Sequence, residues 1–182
     1  MCSSDLNKRL VPDGVPLHVF NVGDAATAGL LAAFKPEAVI HFAGAVSVPE
    51  SVANPQKYHD NNFVESAKLI DACIGAGVNA FIFSSTSAVY GIPESVPIRE
   101  DATTQPINPY GTSKLMTEAT LRDAGRASAL RSVVLRYFNV AGADAEGRAG
   151  PMGVGSTNLI KSLAEFRSEE HTSELQSPMY LV

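Results

Sequence analysis

The chain has 182 residues, enough for one domain with a sizeable core. Hydrophobic residues make up 45% and charged residues 18%, which excludes a disordered chain, and the formal net charge of -5 offers no basic field for nucleic acid or an anionic membrane. No apolar run approaches a membrane span, the amino end lacks a basic-then-apolar signal pattern, and Cys2 and Cys73 make neither a disulfide framework nor a metal spacing, so a cytoplasmic protein is expected.

The two ends do not read like the stretch between them. Residues 167–177 resemble the in-frame translation of a common sequencing-library adapter, and residues 1–6 resemble the same adapter on the other strand. Both, with residues 178–182, are expected to be foreign and are set apart from the fold. The stretch from residue 7 to 166 is therefore expected to be a fragment cut at both ends.

Within it, residues 16–22 form a short apolar run that ends at Gly23-Asp24 and predicts a strand. Residues 25–35 carry Ala, Leu and Phe at helical spacing, closed by Pro36. Residues 38–42, Ala-Val-Ile-His-Phe, predict a second strand, followed by the small residues Ala43 and Gly44. His41 sits among apolar neighbours there and reads as a buried, hydrogen-bonded core residue. After a loop with Pro49 and Pro55, a helix is predicted over residues 56–76, with Phe63, Ala67, Ile70 and Ile74 as its buried stripe and Gly75 and Gly77 as its stop. A strand over 80–85 comes next, then a loop rich in Pro and acidic residues over 93–109, a helix from Tyr110, a strand over 132–138, a glycine-rich loop over 142–155 and a last helix over 157–166.

Strands alternating with helices predict an α/β fold, a doubly wound parallel sheet with helices on both faces. Ligands of such sheets bind beyond the carboxyl ends of the strands. Gly23-Asp24, Ala43-Gly44, Ser84 to Thr86 and Asn139 all fall at such ends. No Gly-x-Gly-x-x-Gly opens the chain, so a phosphate cradle at a first helix is missing from it.

The chemistry concentrates in two stretches, residues 84–91 and 110–114. Tyr110 and Lys114 are four residues apart, on one face of a helix. A phenol beside a fixed cation is expected to have a lowered pKa, because the cation favours the phenolate, and so to act as a general base near neutral pH. The hydroxyls of residues 84–87 stand ready to hold the substrate oxygen whose proton is taken.

With these residues in place, the chain resembles the extended short-chain dehydrogenase/reductase family and, within it, the UDP-glucose 4-epimerases. The resemblance rests on Val-Ile-His-Phe-Ala-Gly (39–44), Pro-Glu-Ser-Val (49–52), Asn61-Asn62, Phe-Ser-Ser-Thr-Ser-Ala-Val-Tyr-Gly (83–91), Asn-Pro-Tyr-Gly-Thr-Ser-Lys-Leu-Met (108–116) and Leu-Arg-Tyr-Phe-Asn-Val-Ala-Gly-Ala (135–143), in that order. It implies a Rossmann-like NAD-binding domain that lacks its first βαβ unit and most of a carboxyl-terminal substrate domain. It also implies NAD as the hydride carrier in the reversible 4-epimerisation of UDP-glucose and UDP-galactose through a 4-keto sugar. Tyr110 then matches the base, Lys114 the lysine that binds the nicotinamide ribose and lowers the phenol pKa, and Thr86 the hydroxyl residue on the sugar oxygen. Asp24 falls where an acidic residue contacts adenine, and Phe42, Ala43, Gly44, Asn61, Ser84 and Phe138 fall at other cofactor positions. Asn139 and Asn158 match asparagines that contact the UDP-sugar.

There are departures: Val46 stands where many of these enzymes carry a lysine near the cofactor phosphates, and threonine replaces the usual serine at position 86. The nearest rival is a nucleotide-sugar 4,6-dehydratase, which places Asp-Glu directly after the Thr, where this chain has Ser87 and Ala88. A non-catalytic nucleotide-binding fragment is the alternative of another class, and the isolated chain is expected to have negligible epimerase activity. The resemblance further implies a homodimer. In the strand order 3-2-1-4-5-6, the 16–22 strand would lack its neighbours, and would either pair with 38–42 or detach.

Overall fold

The computed structural model describes residues 11–140, 142 and 144–146, and the chain divides into two units, Met1–Phe138 and Asn139–Val182. The helix expected over 157–166, with Asn158, lies outside the described residues, as do both ends set apart above. All the regular elements described belong to the first unit.

Helix α1 (Ala25–Phe34) stops where Lys35 turns into the left-handed region at φ 46° and returns its N–H to the Leu31 carbonyl, just before Pro36. Strand β1 (Ala38–His41) is next. Two short helices come after it, α2 (Val48–Ala53) and α3 (Pro55–Tyr58), each with proline in its first turn. The Ser47 hydroxyl caps the first by accepting from the Glu50 N–H, and the Asn54 amide oxygen caps the second by accepting from Lys57. Without a break α3 enters a π-helical turn (His59–Val64) and continues as α4 (Glu65–Gly75). Strand β2 (Ala80–Thr86) ends in a 3₁₀ turn (Ser87–Tyr90). Helix α5 (Pro109–Ala127) begins under an Asn108 cap whose side-chain oxygen accepts from the Gly111 N–H at 2.8 Å, and it leads into β3 (Arg131–Tyr137).

The strands form a parallel sheet in the order β1-β2-β3, in a register that aligns Ile40, Ile82 and Val133 in one row and His41, Phe83 and Val134 in the next. Alternation sends Phe81, Phe83 and Ser85 of β2 to the buried side. There Phe81 and Phe83 join Leu31 of α1, Leu69, Ile70 and Cys73 of α4, Leu121 of α5, and the connecting residues Val78 and Leu130 in one core cluster. The opposite face is open among the described residues, with Ile40 58% and Val133 55% exposed. Helices on both faces were expected; the described helices that join the core pack on one.

Two other expectations are corrected. Residues 16–22 make no strand, although their composition favours one: Leu17, Val19 and Phe20 stand exposed and the segment has no ladder with β1. Strand structure is a property of the pair, since the peptide groups need a neighbour to bond. Of the two outcomes foreseen for this segment, pairing with β1 is not observed, although Val22 at its end still packs against the core. The buried stripe of the long helix also differs. Asn62, Ser66, Leu69, Ile70 and Cys73 face inward, Phe63 and Ala67 are half-buried, and Ile74 is exposed. The π turn is the cause, because its wider winding sets back the phase of α4 relative to a uniform 3.6-residue period. His41 is buried as expected, its Nε2 2.8 Å from the Ser66 hydroxyl. Ser66 donates to the Asn62 carbonyl, so His41 is the donor in that pair. Burial first, then the Lys114 charge, pull its pKa down to about 4.

Candidate active site

Sequence places Tyr110 and Lys114 one helical turn apart in the first two turns of α5, and the Asn108 cap fixes where that helix begins. Gly111, directly after Tyr110, lets the helix come close to the 3₁₀ turn at the end of β2: a Cβ there would stand 2.7 Å from the Ala88 carbonyl oxygen. The Tyr110 phenol thereby comes beside Thr86 at the carboxyl end of β2, where the Thr86 hydroxyl acts on it in the direction that favours the phenolate. Thr86 is itself buried, and its Oγ1 accepts from the Ala88 N–H at 3.1 Å.

Lys114 is only 3% exposed. Its Nζ donates to the Ser84 carbonyl at 3.0 Å and lies 5.0 Å from the centre of the Phe83 ring. Burial pulls the ammonium down to about 8, so it stays largely charged at neutral pH. Tyr110 departs from expectation: its pKa is raised. Burial is the main cause and outweighs the hydrogen bond from Thr86, which acts in the lowering direction. The Lys114 ammonium is committed to the Ser84 carbonyl, and a cation held that way does not overcome desolvation of the phenolate.

Above this trio sits the loop after β1. Gly44 adopts φ 154°, and a Cβ on it would lie 3.1 Å from Asn62 Oδ1 and 3.3 Å from Lys114 Nζ. The Asn62 amide clasps Ala45 on both sides, accepting from its N–H at 2.8 Å and donating to its carbonyl at 2.9 Å. Ala43, Gly44, Val46 and Asn61 line a cavity of about 350 Å³, which Asn21, Glu50 and Lys57 also border. Phe42 stands 62% exposed at the end of β1, where a flat ligand could lie on it.

Tyr110, Lys114, Thr86, Ser84 and Gly44 are thus brought together, and Asn61 joins Ala43 and Gly44 on the adjoining cavity. Asp24 stands apart from the trio: it is exposed at the start of α1, and its carboxylate accepts from the Asn21 N–H at 3.0 Å. Phe138 is exposed and borders a different, larger cavity of about 690 Å³ shared with Tyr90, Glu118 and Arg136. Asn139 belongs to the second unit, where it is exposed.

Three residues that matter to this geometry were not singled out from sequence. Asn62, rather than Asn61, is the buried member of the pair. Tyr58 is wholly buried, its ring edge-on to Tyr110 at 6.2 Å between centres, and its hydroxyl donates to Glu50 at 2.8 Å while accepting from the Ser47 N–H. Glu118 is a carboxylate in the buried row of α5, one turn after Lys114. A charge at that spacing from Lys114, in a row otherwise meant for the core, was the available signal.

Comparison with known proteins identifies the family of the chain. The model of the NAD dependent epimerase/dehydratase family matches residues 4–172, bounds that run past residues 7 and 166. The UDP-glucose 4-epimerase of Azospirillum brasilense is 55% identical over 155 residues, covering 85% of this chain and 44% of that protein. The chain thus spans about half the length of the curated relatives it matches or somewhat less. Among solved structures, the UDP-glucose 4-epimerase of Brucella ovis in complex with NAD superposes with a TM-score of 0.76 at 41% identity, over 80% of this chain and 45% of that one. The enzyme of Stenotrophomonas maltophila, with bound NAD and formylated UDP-arabinopyranose, gives 0.79 at 36% identity, over 84% and 47%.

Proposed function

Because the chain belongs to the NAD dependent epimerase/dehydratase family, we propose that the whole protein of which it forms part is an NAD-dependent isomerase that interconverts UDP-glucose and UDP-galactose. The observation that carries this reading is the convergence of the Thr86 hydroxyl, the Tyr110 phenol and the buried, charged Lys114 at the carboxyl end of β2.

The residues present fit the nicotinamide half of the cofactor. Gly44 leaves open a space that a Cβ would fill, against Lys114 and Asn62. The Lys114 ammonium has three hydrogens, one of them spent on Ser84, so others can reach ribose hydroxyls. Phe42, Ala43, Asn61 and Ser84 are assigned to the rest of that surface and Asp24 to the adenosine end, with Asn139 and Asn158 on the UDP-sugar; Phe138, expected on the cofactor too, borders the other cavity. NAD, when bound, supplies a reversible hydride acceptor. Tyr110 takes the proton of the sugar 4-hydroxyl and returns it to the same oxygen after the hydride has come back to the other face. Thr86 holds that oxygen, and the Lys114 charge supports the phenolate.

A 4,6-dehydratase needs a proton donor and a base directly after the hydroxyl residue. Ser87 and Ala88 occupy those places, and neither has a carboxyl group. The protein is further read as a cytoplasmic homodimer of nucleotide-sugar and galactose metabolism with no nucleic-acid partner; among the described residues, no helix is long and apolar enough to cross a membrane. The test is NMR of UDP-galactose incubated with NAD and the product of the complete gene. Appearance of UDP-glucose is expected. A dehydrated 4-keto sugar, or no product, would overturn the reading.

A further inference from the structure

Glu118 is the centre of a buried polar network that the chemistry above does not use. Its side chain is 4% exposed, on the buried row of α5 that also carries Lys114. One carboxylate oxygen accepts from the Ser85 hydroxyl; the Arg136 guanidinium grips the pair of oxygens, with Nη2 2.7 Å from Oε2 and Nε 3.2 Å from each. Ser85 and Arg136 are register partners on β2 and β3, so a single carboxylate spans two strands and a helix. Arg136 extends the network: its Nη1 donates to the Tyr90 hydroxyl at 3.0 Å, and its guanidinium lies 4.9 Å from the centre of that ring.

Thr86 sits inside this frame. Ser85, on one side of it, is tied to Glu118, and Tyr90, at the far end of the adjoining 3₁₀ turn, is tied to Arg136. Both flanks of Thr86 are therefore anchored, through one ion pair, to the helix that carries Tyr110. Apolar packing alone is non-directional and would let α5 slide along the sheet; a forked guanidinium–carboxylate contact fixes distance and angle. Buried ion pairs are poor sources of stability, and the best-attested reason to keep one is to select a single arrangement.

Resting on the functional reading above, we propose that Glu118 and Arg136 are positioning residues for the proton transfer, holding the Thr86 hydroxyl in register with the Tyr110 phenol. Neither touches the reacting atoms. Glu118 acts through Ser85, and Arg136 through Tyr90.

The test tracks the Tyr110 phenol in a ¹³C-tyrosine-labelled chain by NMR titration. Thr86→Val serves as the reference for the lost influence of the Thr86 hydroxyl on the phenol. Glu118→Gln is expected to move the Tyr110 titration upward, in the direction and to the extent that Thr86→Val does, with the helical circular dichroism retained. Should Glu118→Gln fail to fold, the double substitution Glu118→Met and Arg136→Met removes both charges while keeping side-chain bulk, and the same upward movement is expected. A Tyr110 titration that coincides with the unsubstituted chain in either folded variant overturns the proposal. In the complete protein, Glu118→Gln should lower kcat about 100-fold with KM little changed, and an unchanged kcat likewise overturns it. If the unsubstituted protein makes no UDP-glucose, the epimerase reading falls and the titration alone judges the positioning.

Discussion

Lys114 carries an electrostatic cost that can be measured apart from catalysis. Burial depresses its pKa from 10.5 to about 8. Between those values the unfolded chain holds more protons than the folded one, so stability rises with pH from about 8 to 10.5. Below 8 the cost of burying the charge is fully present. Replacing Lys114 by Met should therefore stabilise the fold at pH 7 by about 2 to 3 kcal/mol and flatten the alkaline rise, as read by urea unfolding at a series of pH values. The same variant should cost the complete protein roughly 100-fold or more in turnover. On the proposed reading, the cost of burying Lys114 is offset by its place beside Tyr110 and the cofactor. The trio itself was legible in the sequence because Tyr110 and Lys114 are local to one helix and Thr86 ends a plainly apolar strand. Glu118 was not, because its partners are remote: Ser85 is 33 residues away, and Arg136, 18 residues away, lies on another strand. Such a pairing is visible only once the sheet register is known.

At the level of elements, two glycines inside helices separate propensity from position. Gly29 in α1 has open space where a Cβ would stand, whereas at Gly111 in α5 a Cβ would meet the Ala88 carbonyl oxygen at 2.7 Å and Pro106 Cβ at 3.0 Å. Gly29→Ala should stabilise by about 0.5 to 1 kcal/mol through helix propensity alone. Gly111→Ala should destabilise by about 1 to 3 kcal/mol, because the contact is with backbone that cannot yield cheaply. Thermal unfolding of the two variants should move in opposite directions. The elements that sequence located to within a residue or two, α1, β1, β2, α5 and β3, are those whose signals are local: caps, prolines and apolar runs. Where sequence failed, the deciding fact lay elsewhere in the molecule. Residues 16–22 had the composition of a strand but no strand beside them. The residues after Asn62 had a helical period, but a π turn moved its phase.

For the molecule as a whole, the notable feature is a parallel sheet with one side bare among the described residues. Parallel sheets bury both faces, and here the row Ile40, Ile82 and Val133 runs across a face that leaves Ile40 and Val133 more than half exposed. Among the described residues β1 is an edge strand, and its outer peptide groups add to this apolar surface. The isolated chain should bind an apolar fluorescent dye and self-associate with rising concentration in sedimentation velocity. Ile40→Thr with Val133→Thr should reduce both without lowering the unfolding midpoint. An unsubstituted chain that stays monomeric and dark with the dye would show that this surface is covered.

The π turn at His59–Val64 sets Asn62 beneath Gly44 and turns its amide onto Ala45. It does so by holding one more residue than a regular winding would need. Removing one residue from 59–64 would give the helix a smoother course and better internal bonding, and would swing the amide away from the loop it clasps. The repaired helix would be the damaged protein, regular in its winding but without its hold on the loop.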